Sequence, residues 1–118
     1  MKEKSMREHD EIETVEELTA ESKGRWLVTT QGTRHIWDLD AMTYARFPGA
    51  ESLRGSCLAD AEDLPIIDVG RYPRVGDVSE VLCGNPNMPG MLHWRRSSTV
   101  ARIERLGMVG DDEPEERA

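Results

Sequence analysis

The chain has 118 residues, 37% of them apolar and 32% charged, with 15 Lys/Arg against 23 Asp/Glu and a net charge of −8. That length favours one domain, and no run approaches the 18 or so apolar residues of a membrane span. The acidic balance works against non-specific binding of nucleic acid, which needs uncompensated positive charge.

The excess charge is not spread evenly. Residues 1–23 carry four basic and eight acidic residues, and residues 107–118 carry one and five. The 83 residues between them carry ten of each sign and hold all three Trp, both Tyr, the single Phe and both Cys. The expected organisation is an acidic leader over 1–23, a small domain over 24–107 and a disordered acidic tail over 108–118. A core of that size buries only roughly 60–65% of its unfolded surface, so modest stability is expected. Met1 to Glu8 is followed by no apolar run, so no signal peptide is expected and the default compartment is cytoplasmic.

In the leader, residues 10–21 read as a short helix. Asp10 is a cap, Glu13 falls where a capping box needs it, and Ile12, Val15 and Leu18 make a thin apolar stripe. Twelve residues are marginal for a helix in water, so a solvated leader is expected, with docking on a partner as the alternative.

From Arg25 the period becomes two. Trp26, Val28 and Thr30 alternate with Leu27, Thr29 and Gln31, giving a first strand. Gln31-Gly32-Thr33 turns the chain, and Arg34 to Leu39 returns as a second strand. A turn over residues 40–43, opened by Asp40, leads to a third strand over residues 43–47, closed by Pro48-Gly49.

Residues 50–63 read as irregular, with a single helical turn around 52–58 as an option. Residues 64–72 read as a fourth strand with Pro65 at its entry, and Val78 to Cys83 as a fifth. Gly84 to Gly90 is a loop rich in turn formers, and Met91 to Arg96 a sixth strand. Over residues 97–106, Val100, Ile103 and Leu106 fit either a helix or a short bulged strand, with strand favoured. Six or seven short antiparallel strands indicate an all-β barrel or roll.

The scan for chemistry is mostly negative. There is no Walker A, GxGxxG, HExxH or GxSxG pattern, and Asp38-Leu39-Asp40 is read as turn chemistry rather than a metal pair. Cys57 and Cys83 are 26 residues apart and are expected as free thiols. His9, His35 and His93 do not complete a zinc set with them. Cys57 has no basic sequence neighbour to lower its pKa, so no enzyme activity, cofactor or metal is expected.

The run His93-Trp94-Arg95-Arg96 is the leading contact candidate, with Arg102 and Arg105 downstream. Arginine beside an aromatic suits phosphates and bases, and Trp37 with His35 could extend a stacking surface. The same residue types dominate protein–protein hot spots. The bland reading is that Trp94 fills the core while the arginines face water. Met88, beside Pro89-Gly90 and Met91, is a second candidate contact.

The segments Arg25 to Thr30, Trp37 to Asp40, Arg46 to Gly49, Val75 to Asp77 and Trp94 to Ile103 resemble a group of small uncharacterised proteins of actinobacteria and their phages. The resemblance covers the neutral middle and implies a compact β-rich fold in a cytoplasmic setting, with no activity attached. The function expected is a non-enzymatic accessory module, phage-encoded, that binds a host or regulatory protein through Trp94, Arg95, Arg96, Met88 and Trp37. The alternatives are a nucleic-acid-associated protein using the Trp94-Arg95-Arg96 strand, and an acidic mimic that inhibits a DNA-binding protein. Neither nucleic acid nor membrane is the expected partner.

Overall fold

A computed structural model describes residues 12–50 and 57–107. Seven strands form one antiparallel sheet: β1 (Arg25–Thr29), β2 (Thr33–Asp38), β3 (Thr43–Pro48), β4 (Leu64–Arg71), β5 (Glu80–Gly84), β6 (Leu92–Arg96) and β7 (Arg102–Arg105). Their order across the sheet is β6-β5-β4-β3-β2-β1-β7, so β6 and β7 are its edges and the sheet is not closed.

The first three strands form the expected meander, and their turns follow from local chemistry. Gly32 takes a positive φ of 78° between β1 and β2, where a side chain would be strained. Between β2 and β3, the Asp38 carboxylate accepts the N–H groups of Asp40 and Ala41, an Asx turn opened two residues earlier than expected from Asp40. Asp40 itself accepts the Gly24 N–H. Both carboxylates therefore hold backbone.

The sheet bends where β3 meets β4. That junction has only the pairs Thr43↔Pro65 and Tyr44↔Leu64, after which β4 runs on to pair with β5 through two register shifts. Beyond the bend the halves face one another. Val28, Trp37, Tyr44 and Ile103 from one half share a core with Leu64, Val81 and Cys83 from the other. Trp37 packs edge-on to Tyr44 at 5.6 Å and tilted against Tyr72 at 6.0 Å.

Residues 97–106 resolve as strand, but only over Arg102–Arg105. Before it, Val100 is buried and tied to the 76–77 turn, donating to the Asp77 carbonyl and accepting from the Gly76 N–H. The register shifts lie in β4 instead.

The leader is the main correction. Residues 12–21 contain no helix; Glu13 to Val15 run extended along the outer edge of β7, and Glu16 to Leu18 pair with residues 73–75. The Val15 N–H donates to the Ile103 carbonyl, and the Arg105 N–H donates to that of Glu13. The Leu18 N–H reaches the Pro73 carbonyl, and Val75 donates to Glu16. Leu18 is 3% exposed and belongs to the core, with Val15 packed beside it. A twelve-residue helix is marginal, whereas an unpaired strand edge offers backbone partners at once. The edge wins. The predicted cap at Asp10, most of the 52–58 turn and the 108–118 tail lie outside the described residues.

Candidate functional site: the outer face and free edge of β6

Alternation along β6 divides its side chains between two environments. Its register with β5 sets Val81 against Arg95 and Cys83 against His93, both facing the core, and sets Leu82 against Trp94 on the outer face. Trp94 is therefore outside and 54% exposed, not in the core. Trp37 is the reverse: with 0% exposure it cannot stack on a ligand, and His35 is buried beside it. The stacking surface expected from Trp37 and His35 is an interior feature.

Trp94 is one of a group. Leu92 is 56% exposed on the same face of β6, and Ile67 is 55% exposed on the same face of β4. Gly84 lies between them: a Cβ placed there would sit 3.4 Å from Ile67 Cδ1 and 3.6 Å from Pro65 Cγ. Gly70 makes room for the indole, since a Cβ there would come within 3.0 Å of Trp94 Cη2. The half-buried Leu82 lies opposite Trp94 in the ladder. The result is an apolar strip of Pro65, Ile67, Leu82, Leu92 and Trp94 across the three strands at the β6 end. Sequence reasoning missed Ile67 and Leu92, although the Leu92, Trp94, Arg96 alternation held the signal.

The two arginines diverge. Arg96 shares the outer face with Trp94 and lies 3.5 Å from Glu80. Arg95 turns inward, where it lines a recess of about 40 Å³ with His35, Tyr44, Arg46, Cys57, Trp94 and Arg96. One of its terminal nitrogens donates to the Leu58 carbonyl, and its Nε is buried with no acceptor among the described residues. Met88 is 42% exposed in the β5–β6 loop, whose turn is held by Met91 N–H donating to the Met88 carbonyl.

The wall of the recess is a satisfied polar chain. The Thr30 hydroxyl donates to the Thr33 carbonyl, so it accepts from His35 Nε2 at 3.1 Å. His35 Nδ1 then accepts from the Tyr44 hydroxyl at 2.8 Å, which fixes the Nε2–H tautomer. Burial, reinforced by the Arg46 guanidinium, lowers the His35 pKa to about 3, so the ring stays neutral. Burial likewise pushes the Tyr44 hydroxyl well above its ordinary value. Arg46 is itself buried and bonds both carboxylate oxygens of Asp60, at 2.9 and 2.8 Å. Asp60 also accepts the Cys57 N–H, tying the 57–60 turn to β3.

Cys57 is half-buried and Cys83 fully buried, both as free thiols. Burial raises the Cys83 pKa to about 11, which leaves it protonated and unreactive. His93 is lowered from its ordinary value by burial first and the Arg95 charge second. It pairs with the Asn85 amide at 3.1 Å. No group of three metal-ligating side chains comes together among the described residues. No helix among them is long and apolar enough to cross a membrane.

No protein-family model, curated protein or solved structure matches this chain.

Proposed function

We infer that the protein is a non-enzymatic module that docks on a protein partner through the outer face of β4, β5 and β6, with Trp94 at its centre. The observation that carries this reading is the group of three large apolar side chains, Ile67, Leu92 and Trp94, each more than half exposed and contiguous on one sheet face. Single exposed apolar residues are ordinary, but a clustered group with a tryptophan beside an arginine has the composition of a binding hot spot. In this reading the roll expected from the strand spacing is left open at β6 to receive the partner. The resemblance to small actinobacterial and phage proteins extends the reading to a host or regulatory factor.

The nucleic-acid alternative is the weaker. Phosphate binding by adjacent arginines needs both on one surface, whereas Arg95 and Arg96 leave β6 on opposite sides and Arg96 is matched by Glu80. Acidic mimicry depends on the charged ends, and residues 1–11 and 108–118 lie outside the described set. Two groups that a catalytic reading would use are occupied: both ring nitrogens of His35 are engaged, and Cys83 is held protonated.

Trp94→Ala tests the proposal. Trp94 is exposed, so folding stability should change by less than about 1 kcal/mol. Capture of a native partner by cross-linking should fall by about 2 kcal/mol, or roughly thirtyfold, as for a hot-spot tryptophan. Capture that survives both Trp94→Ala and Leu92→Ser would overturn the assignment of this face.

A further inference from the structure

The two edges of the sheet differ in one respect that identifies a partner chemistry. β7 carries Arg102 and Arg105, and an extended segment of the same chain, Glu13 to Val15, pairs beside it before the chain passes on to residues 73–75. That segment supplies backbone bonds to Ile103 and Arg105, and the Glu13 carboxylate lies 3.5 Å from the Arg105 guanidinium. β6 likewise carries two arginines, Arg95 and Arg96, but where β7 holds Glu104, 3.2 Å from Arg102, β6 has no acidic residue between Leu92 and Arg96. Among the described residues, however, no strand lies on its outer edge.

Resting on the binding-module reading above, we propose that β6 receives an extended strand of alternating acidic and apolar residues from a protein partner, by the same edge pairing with which β7 receives Glu13 to Val15. An added strand satisfies the unpaired N–H and C=O groups of the edge and presents alternate side chains to the two faces of the sheet. Residues opposite Leu92, Trp94 and Arg96 lie on the outer face, where the partner's apolar side chains meet Leu92 and Trp94. The residue opposite Arg95 lies on the inner side, at the recess. A carboxylate there meets Arg95, whose Nε has no acceptor, beside the buried Arg46 and the Tyr44 hydroxyl. His93 and His35 add no charge, because burial holds both rings below their ordinary pKa. Two acidic residues are near: Asp60 is already bonded through both oxygens to Arg46, and Glu62 is close enough to act on His93.

The test uses the full chain and a blocked peptide of alternating valine and glutamate. Trp26 and Trp37 are buried and Trp94 is exposed, so a blue shift in tryptophan emission and loss of quenching by acrylamide report on β6 alone. The expected result is saturable binding that weakens about tenfold when the glutamates become glutamines, and falls again as salt rises. N-methylation of alternate peptide amides should abolish it, because a strand that cannot donate cannot pair. Arg95→Gln should weaken it about tenfold while Arg102→Gln leaves it unchanged. The peptide-side changes keep the test decisive even if Arg95→Gln fails to fold.

Equal binding of the glutamine peptide would overturn the proposal. So would tighter binding of an oligonucleotide than of the peptide, or concentration-dependent dimerisation that buries Trp94. If the peptide fails to bind while Trp94-dependent partner capture persists, the acidic-strand inference falls and the binding-module reading stands.

Discussion

Leu18→Ala gives the sharpest test of how the leader contributes to the domain. Leu18 lies seven residues before the start of the first strand at Arg25, yet it is 3% exposed and shares a core with Trp26 and Trp37. The substitution removes three buried carbons, about 2.4 kcal/mol at roughly 0.8 kcal/mol each. Incomplete collapse of the space left behind adds to this, and measured Leu→Ala costs run from about 2.7 to 5 kcal/mol. Leu18 sits on a segment tied at sheet margins, which relaxes more easily than a central strand, so a cost near 3 kcal/mol is expected. For a domain of this size each kcal/mol moves the Tm by roughly 4–8 °C, giving a loss of at least 12 °C. Urea denaturation and calorimetry measure both quantities. Ile12→Ala, at a 42% exposed position of the same segment, is the control and should change stability by less than about 1 kcal/mol. A truncation to residues 24–107 should be destabilised at least as much as Leu18→Ala. A truncated chain that melts within a few degrees of the full protein would refute the packing described and restore the leader to a solvated appendage.

Two further outcomes follow from buried polar groups. His35 is neutral in the fold down to about pH 3 but takes up a proton near pH 6.5 when unfolded, so its contribution is full above pH 6.5 and is lost as pH falls toward 3. Over that window it should give a slope of about 1.4 kcal/mol per pH unit that His35→Gln abolishes, and a ring that titrates near pH 6 by NMR in the folded protein would refute the burial argument. Cys57 is half-buried and Cys83 is inaccessible, so a maleimide should label the native protein once, at Cys57, and reach Cys83 only through unfolding; two equally fast labels by mass spectrometry would contradict the packing of β5.

The strands were legible because period-two runs with β-branched and aromatic residues leave little choice once turns are marked. Trp26 to Thr30, the Gly32 turn and Ile36 to Leu39 identify a hairpin on local grounds alone. The leader was misread for the converse reason. Ile12, Val15 and Leu18 are spaced as on a helix, but their conformation is set by a strand edge about 90 residues further along the chain. No local propensity encodes that edge. The tryptophans show the same limit. Trp37 and Trp94 both stand in strands beside charged residues, and only the register decides which face each occupies. His93 and Arg95, which look like surface residues, take the inner positions of β6 and leave Trp94 outside. Likewise Arg46 and Asp60 are fourteen residues apart with no motif between them, and their pairing follows from the 57–60 turn folding back onto β3.

An open sheet must do something with each of its edges, because unpaired backbone invites indiscriminate association. At β7 the chain uses its own acidic leader, and the cover is part of the core through Leu18. At β6 the protection is charge. Two copies pairing edge to edge would bring four arginines together within a five-residue stretch, which disfavours self-association. In the proposed binding mode the same charges lower the cost of approach for an acidic strand, so one feature discriminates against a second copy and for a partner of opposite sign. The apolar strip beside the edge cannot supply that discrimination, since hydrophobic contact is non-directional and would accept either. In the proposed binding mode, affinity therefore rests with Leu92 and Trp94 on the outer face, and selectivity with Arg95 at the recess.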